Sequence, residues 1–181
     1  MSNSAGSTKQ ELSRDSASKL IFSDFLAGSI STLCGIQSEF YARAWGFDHH
    51  YESVVSSGVS EFLGRYDENK DFVRLVLEEG KVVGGIAIDH RDGVLGQLRW
   101  FILCDHLRGS GAGKKLFSEA MAFIKEKKFK QVYLTTFKGL DSARRLYEWG
   151  GFKLTEEKTA STWGKEITEQ RFDWYADNKD R

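Results

Sequence analysis

The stretch from about residue 94 to residue 128 constrains the fold more than any other part of the sequence. A β-rich run ends at Leu103, and a glycine-rich loop, Arg108-Gly109-Ser110-Gly111-Ala112-Gly113, follows shortly after it. From about Gly111 to Lys128, apolar residues then recur at helical spacing. Alternating glycines let consecutive backbone N–H groups turn inward, and a helix N-terminus adds a partial positive charge. The pattern predicts a strand, a loop that binds phosphate or diphosphate, and a helix.

Regular patterns on both sides of this loop predict an α/β domain with a mixed sheet. Helical spacing alternates with runs of period two, and no proline interrupts them. Before the loop we expect a strand, two helices and an antiparallel meander: Leu20 to Phe25, about Ser29 to Trp45, about His50 to Gly64, Phe72 to Leu77, Val82 to Ile88 and Val94 to Leu103. After the helix we expect a strand, a second helix and a hairpin: Gln131 to Phe137, Asp141 to Trp149, Phe152 to about Lys158 and Ile167 to Tyr175. Asp141 or Ser142 should cap that second helix, and Gly150-Gly151 should end it.

Bulk properties of the sequence exclude several classes of protein. The 181 residues suit one domain, expected over residues 19–176, behind a flexible polar tail at residues 1–18. The 26 basic residues balance 26 acidic ones, so no net charge attracts the molecule to nucleic acid or to an anionic membrane. Cys34 and Cys104 lack metal-ligand spacing and are expected to be reduced thiols. Without a recognisable leader or a long apolar run, the sequence predicts a cytoplasmic protein that does not associate with membranes.

The sequence of this loop does not match two other phosphate-binding motifs. A Walker A loop requires glycine where Arg108 stands, and Ser or Thr after its lysine, whereas Lys114 is followed by Lys115. A dinucleotide-binding loop requires its third glycine at position 114, and it follows a βαβ unit rather than a meander. A strand-to-helix connection that binds nothing stays open as an alternative.

Two motifs together resemble the GNAT superfamily of acyl-CoA-dependent N-acyltransferases. The first is the family signature of Gln or Arg, two residues, Gly, one residue, then Gly or Ala, which Arg108, Gly111 and Gly113 match. The second, Leu146 to Phe152, is similar to the family's Leu-Tyr, three residues, Gly-Phe stretch. The resemblance covers roughly Leu20 to Tyr175. It implies the acyl-CoA N-acyltransferase fold, acetyl-CoA as acyl donor, direct transfer to an amine within a ternary complex, and no metal.

A finer resemblance is to acetyltransferase domains that are fused behind MarR-type winged-helix regulators. It rests on Phe40 to Phe47, Gln97 to Phe101 and Thr168 to Arg171. About 20 residues precede the domain. A segment of this length is too short to form a helix-turn-helix unit. Nucleic-acid binding is therefore not expected.

The resemblance also implies which residues bind the donor. Main-chain groups of Ile102 and Leu103 are expected to pair with the pantetheine arm, where the meander splays from the next strand. Arg108 and the loop that it begins are expected to hold the diphosphate, together with Lys114 in the first turn of the helix. Lys114 and Lys115 could equally be an ordinary charged helix face, since cations there oppose the helix dipole.

Tyr147 matches the family position whose hydroxyl lies near the CoA sulfur, and we expect it to act as general acid. A phenol with a pKa of about 10 can return a proton to a departing thiolate, whose thiol has a pKa of about 8.5. The general base stays unassigned, because the strand before the loop carries no Glu where many relatives are thought to have one. Glu169 could serve, or it could be a cross-strand partner of a basic residue.

The acceptor is expected between the first two helices and the final hairpin, where Tyr41, Trp45, Trp100 and Trp163 could wall a pocket. A small-molecule amine is favoured over a protein lysine as acceptor, because the sequence does not indicate an acidic groove. A second interpretation is a module that binds or senses acyl-CoA without turnover. The sequence leaves the acyl chain and the oligomeric state open, a homodimer included.

Overall fold

A meander of three antiparallel strands forms the centre of the sheet in the computed structural model, which describes residues 19–176. The elements, in chain order, are β1 (Ile21–Ser23), α1 (Ser29–Trp45), α2 (His49–Arg65), β2 (Phe72–Glu78), β3 (Lys81–Asp92), β4 (Leu95–Leu103), a 3-10 turn (Asp105–Leu107), α3 (Ala112–Glu126), β5 (Gln131–Phe137), α4 (Asp141–Trp149), β6 (Lys153–Ala160) and β7 (Ile167–Tyr175). The expected α/β fold and the order of its elements are confirmed. The polar tail predicted at residues 1–18 lies outside the described residues.

Seven strands form one mixed sheet in the order β1-β2-β3-β4-β5-β7-β6. Every neighbouring pair is antiparallel except β4 and β5, which run parallel. A parallel pair needs a crossover connection, and α3 supplies it between these two strands. The glycine loop and α3 thus connect the two strands that run parallel.

Helices cover both faces of the sheet. α3 presents one apolar stripe to the core: Leu116, Phe117, Ala120, Met121 and Ile124, all 6% exposed or less, as their spacing predicted. α4 packs in the same cluster through Leu146 and Tyr147. α1 and α2 bury a second cluster on the opposite face, around Leu33 and Phe62. Burying each large apolar side chain contributes about 1.5–3 kcal/mol, so both clusters hold the sheet in place.

The cap of α4 differs from the prediction. Leu140 is the residue that precedes the helix, and no side chain caps it, so the expectation that Asp141 or Ser142 is the cap is wrong. The helix spans Asp141–Trp149 as predicted, and Asp141 belongs to its first turn, where a carboxylate complements the helix dipole. The predicted end is confirmed, since Gly150 ends the helix and Gly151 adopts a φ of +92°.

A bulge in β4 changes the faces to which its side chains point. Between Arg99 and Ile102 the register with β3 shifts, and Trp100 adopts a φ of +49°. Leu98 belongs to the core cluster under α3, whereas Trp100 and Ile102 belong to the cluster under α1 and α2. Alternation along the strand is therefore reversed at Trp100.

Candidate active site

The two parallel strands pair only at their beginnings. Leu95 to Gln97 of β4 pair with Gln131 to Tyr133 of β5, and no pairing continues beyond them within residues 19–176. The C-terminal halves of β4 and β5 therefore diverge and leave a gap in the sheet. This is the splay that the resemblance placed at Ile102 and Leu103.

A cavity of about 470 Å³ opens at this gap, and we call it the loop cavity. Its wall combines α1, the end of β4, the glycine loop and the first turns of α3 and α4. The lining residues are Phe40, Tyr41, Trp45, Phe101, Ile102, Leu103, Leu107, Arg108, Gly109, Gly111, Gly113, Lys114, Gly139, Leu140, Asp141, Ser142, Ala143, Leu146 and Tyr147. The volume lies in the range of about 300–1,000 Å³ that is usual for ligand sites.

The glycine loop presents free backbone donors to this cavity. Gly109 and Gly111 have φ values of +80° and +86°, which L side chains rarely adopt, and neither has a neighbour within 4 Å of where a Cβ would lie. Within the described part of the chain, the N–H groups of Gly109, Gly111, Gly113 and Lys114 donate to no protein acceptor. Unpaired N–H groups at a helix N-terminus can bind an anion.

Two cations stand beside these donors. Arg108 pairs with Asp105 at 2.8 Å and lies over the ring of Phe40, with its guanidinium carbon 4.6 Å from the centroid. Lys114 lies 5.1 Å from the centroid of Trp149. Both line the loop cavity, so both can reach an anion bound there.

Lys115 points elsewhere. Its ammonium pairs with Glu119 at 3.3 Å and lies over Phe22, and it does not line the loop cavity. Of the two adjacent lysines, only Lys114 is placed to serve an anionic ligand.

Seven of the nine residues predicted to bind the donor line the loop cavity: Ile102, Leu103, Arg108, Gly109, Gly111, Gly113 and Lys114. Ser110 and Ala112 do not line it. The Ser110 hydroxyl accepts a hydrogen bond from the N–H of Ala112 at 3.3 Å, and the Ala112 side chain is buried at 4% exposure. These two residues shape the loop rather than its surface.

A second, smaller cavity of about 140 Å³ lies under α1 and α2, and we call it the inner cavity. Its lining residues are Gln37, Tyr41, Tyr51, Val54, Val55, Gln97, Leu98, Arg99, Trp100, Phe101, Leu134, Thr135, Thr136, Phe137, Tyr147 and Trp163. Three of the four aromatic residues predicted to wall an acceptor pocket are present. The fourth, Trp45, lines the loop cavity instead.

Tyr41, Phe101 and Tyr147 line both cavities, so the two meet at these three side chains. Tyr147 is 6% exposed, and its hydroxyl has no hydrogen-bond partner among residues 19–176. Burial raises the pKa of Tyr147 well above its ordinary value, and the nearby Tyr41 adds to the shift. A protonated phenol with unused hydrogen-bonding capacity thus stands at the junction.

Carboxylates are missing from the inner cavity. Within the described part of the chain, no Asp or Glu lines it, and Arg99 is its one charged side chain. Glu169, the candidate base, lies on β7 and accepts hydrogen bonds from the Thr162 backbone and hydroxyl at 2.8 and 2.9 Å. It is occupied outside the cavity, and the structure offers no support for it as a base.

Sequence reasoning assigned no role to Arg99, Gln97 or Gln37, although all three line the inner cavity. A signal was present for two of them, because Gln97 and Arg99 are polar residues at alternate positions of a strand with buried apolar neighbours. The sequence alone does not show whether these two polar side chains face a cavity or solvent.

Two further observations concern a cluster of possible metal ligands and the helices. The side chains of Asp48, His49 and His50 have atoms within 4.8 Å of one another, but all three are exposed, and Asp48 caps α2 through the His50 N–H at 2.9 Å. No helix within residues 19–176 is long and apolar enough to span a bilayer.

Comparison with known proteins identifies a family whose sequence profile matches this chain. The sequence profile described as the acetyltransferase (GNAT) family matches residues 32–152, which is more than half of the chain and contains both sequence motifs. No curated protein matches the sequence.

Solved structures share the fold at low sequence identity. A GNAT-family acetyltransferase from Staphylococcus aureus Mu50 superposes with a TM-score of 0.67 at 16% identity, over 87% of this chain and 99% of that one. A Salmonella typhimurium protein, described as an acetyltransferase and solved with its cofactor acetyl-CoA, gives 0.66 at 13% identity, over 90% and 96%. The ribosomal-protein-alanine N-acetyltransferase from Brucella melitensis gives 0.64 at 15% identity, over 86% and 99%.

Proposed function

We infer the specific reaction from the premise that this chain belongs to the acetyltransferase (GNAT) family. It is an acetyltransferase, and members of the family use acetyl-CoA. We propose that the acceptor is the primary amine of a small molecule and that transfer is direct, within a ternary complex. One observation carries the proposal: two cavities, one walled by an anion-binding loop, meet at a buried tyrosine.

The loop cavity would hold the donor. The free N–H groups from Gly109 to Lys114, the α3 dipole and the two cations suit a diphosphate, while the divergent end of β4 offers main-chain groups to an extended arm. An extended pantetheine beside Ile102 and Leu103 would place its sulfur toward the junction. No metal enters this arrangement.

The chemistry then takes place at the junction. The amine nitrogen attacks the thioester carbonyl carbon, a C–N bond forms, and the C–S bond breaks as the tetrahedral intermediate collapses. The departing thiolate takes a proton from the Tyr147 hydroxyl. The raised pKa keeps this phenol protonated before that step, although it also makes the proton harder to transfer than from an ordinary phenol. The proton lost by nitrogen returns through solvent to the phenolate, so the balance closes without a further reactant.

No carboxylate base is needed if the amine enters the inner cavity uncharged. Apolar and aromatic walls penalise an ammonium because burial removes its hydration. The cavity is also smaller than usual ligand sites of about 300 Å³ or more, which favours a small acceptor.

The finer likeness to the acetyltransferase domains of MarR-type fusion regulators stays a prediction. Two of its three segments supply the site, since Phe40, Tyr41 and Trp45 line the loop cavity and Gln97 and Arg99 line the inner one.

Two measurements test the proposed function. Calorimetry and thermal shift should show binding of acetyl-CoA that neither ADP nor NAD reproduces at equal concentration. Release of free thiol should then be followed across a panel of small amines and a lysine-containing peptide. Equal responses to NAD would overturn the donor assignment. Binding of acetyl-CoA with no thiol release from any amine would favour the module that senses acyl-CoA without turnover.

A further inference from the structure

Arg99 is placed where an acceptor would lie. It precedes the β4 bulge, lines the inner cavity, and retains 15% of its side-chain exposure. Its guanidinium lies against α2 at Gly58, where any added Cβ would overlap it, and over the Trp100 ring at 4.3 Å from the centroid. Helix and indole therefore fix the guanidinium plane at the cavity wall.

The counterion of Arg99 does not neutralise it. The buried Asp89 carboxylate pairs with Arg99 at 3.0 Å, with Arg91 at 2.9 Å and with Arg65. Glu61 also pairs with Arg91 at 2.9 Å and with Arg65 at 3.9 Å. Three guanidiniums thus share two carboxylates, which leaves one positive charge in excess.

Most hydrogen-bond donors of Arg99 are also unused. A guanidinium has five N–H donors. Within residues 19–176, Arg99 makes one hydrogen bond, from Nη1 to Asp89 Oδ2. The rest of the inner-cavity wall is neutral: amides at Gln37 and Gln97, threonine hydroxyls, phenols and aromatic rings. An uncompensated, forked donor in a small neutral cavity fits a carboxylate.

We propose that the acceptor is an amine that also carries a carboxylate, as an amino acid does, and that Arg99 binds that carboxylate while the amine reaches the junction at Tyr147. The proposal rests on the proposed N-acetyltransferase function. It assigns Arg99 as a specificity-determining residue and places it in contact with the acceptor rather than with acetyl-CoA.

Matched pairs of acceptors test the wild-type protein first. Each common amino acid is compared with its decarboxylated amine, for example leucine with isoamylamine and phenylalanine with phenethylamine, by thiol release at saturating acetyl-CoA. The best amino acid should exceed its decarboxylated partner by about 10- to 100-fold in kcat/KM, the range typical of a charge-assisted hydrogen-bonded pair. Equal or higher activity with the decarboxylated amine overturns the proposal.

Two variants separate substrate contact from a structural role. Arg99→Gln should lower kcat/KM for the amino acid by about 10- to 100-fold and that for its decarboxylated partner by less than about threefold. The double change Arg91→Gln with Glu61→Gln removes one guanidinium and one carboxylate from the same cluster, keeps its net charge and lines neither cavity, so the ratio within a pair should not change. A loss that is equal for both members of the pair would show that Arg99 acts only on the fold.

The outcomes separate this proposal from the proposed function. Turnover of simple amines without turnover of any amino acid overturns the carboxylate proposal and leaves the acetyltransferase proposal standing. No turnover of any amine overturns both. If Arg99→Gln fails to fold, the matched pairs on the wild-type protein still decide.

Discussion

The loop cavity and the inner cavity share three side chains but are built in opposite ways. The loop cavity takes much of its wall from one continuous stretch, residues 101–114, and offers mainly backbone donors and apolar surface. The inner cavity takes its wall from six separate parts of the chain, namely α1, α2, β4, β5, α4 and the hairpin, and offers amides, phenols and one guanidinium. A backbone site suits a ligand that is constant across a family, whereas a side-chain site can change with each substrate. Members of one fold can thus keep the donor and vary the acceptor.

The two cavities meet at Tyr147, and we expect a substitution of this residue to have the largest effect on activity. Tyr147→Phe removes the proton that the thiolate needs, so kcat should fall by about 10²- to 10⁴-fold while acetyl-CoA affinity stays nearly constant. Steady-state kinetics and calorimetry measure the two quantities. Tyr175→Phe, at a position 57% exposed and outside both cavities, is the control. A fall of less than about threefold would make Tyr147 a core tyrosine.

The second prediction breaks the loop cavity alone. Gly111→Asp places a carboxylate where diphosphate oxygens should lie, so acetyl-CoA affinity should fall by about 10²-fold, since charge-assisted hydrogen bonds are lost and repulsion is added. Fold stability should change by only ~1–2 kcal/mol, the cost of the positive φ. Gly80→Asp, in the β2–β3 turn with a φ of +77° and equally open space, matches the backbone strain far from the site. Equal affinity for both variants would place the donor elsewhere.

The same contrast explains how much the sequence predicted. Every strand and helix was found, because hydrophobic period and glycine punctuation are local signals. The loop that lines the loop cavity was predicted for the same reason, because residues 108–114 are contiguous and glycines mark the positions with a positive φ. Errors were confined to the ends of elements, such as the cap of α4, where Asp141 already lies inside the helix.

The inner cavity could be predicted only in part. Tyr41, Trp100 and Trp163 were expected there from the likeness to a family, but Arg99 was not. The bulge that follows Arg99 turns Trp100 toward α1 and α2, and because a φ of +49° is unusual for tryptophan, no residue type in the sequence predicts the contact between indole and guanidinium. The Asp89 carboxylate that pairs with Arg99 also pairs with Arg65 of α2 and Arg91 of β3, and only the folded sheet shows that three guanidiniums share it.

Alkaline pH should weaken the inner-cavity side of the fold. Burial raises the pKa of Tyr41 to about 12 and moves those of Tyr51 and Tyr147 upward too. A raised folded pKa means that the stability from each neutral phenol is complete below the unfolded value near 10 and is lost as pH rises toward the folded value. Each phenol should lower the free energy of unfolding by up to about 1.4 kcal/mol per pH unit above pH 10.

Urea unfolding at pH 9.5 and pH 11 measures this loss. Tyr41→Phe should make the pH dependence shallower by about one proton, because one buried phenol no longer ionises on unfolding. Tyr175→Phe, at an exposed position outside both cavities, is the control. Identical slopes for Tyr41→Phe and the wild type would mean that the Tyr41 phenol already reaches water in the folded protein.

The smallest expected effect separates the charge at the mouth of the loop cavity from its backbone donors. Arg108 is 57% exposed, so water and salt screen its attraction for a diphosphate, and it must also leave Asp105 to bind one. Arg108→Gln should therefore weaken acetyl-CoA binding by only about three- to tenfold at low salt, and by less at about 0.5 M salt. Arg43→Gln is the matched control, because Arg43 is 58% exposed and pairs with the same Asp105 but does not line the cavity. Titration calorimetry at both salt concentrations should show an effect for Arg108 alone; equal effects of the two variants would mean that the loop senses a general field and that its recognition of the donor belongs to the backbone.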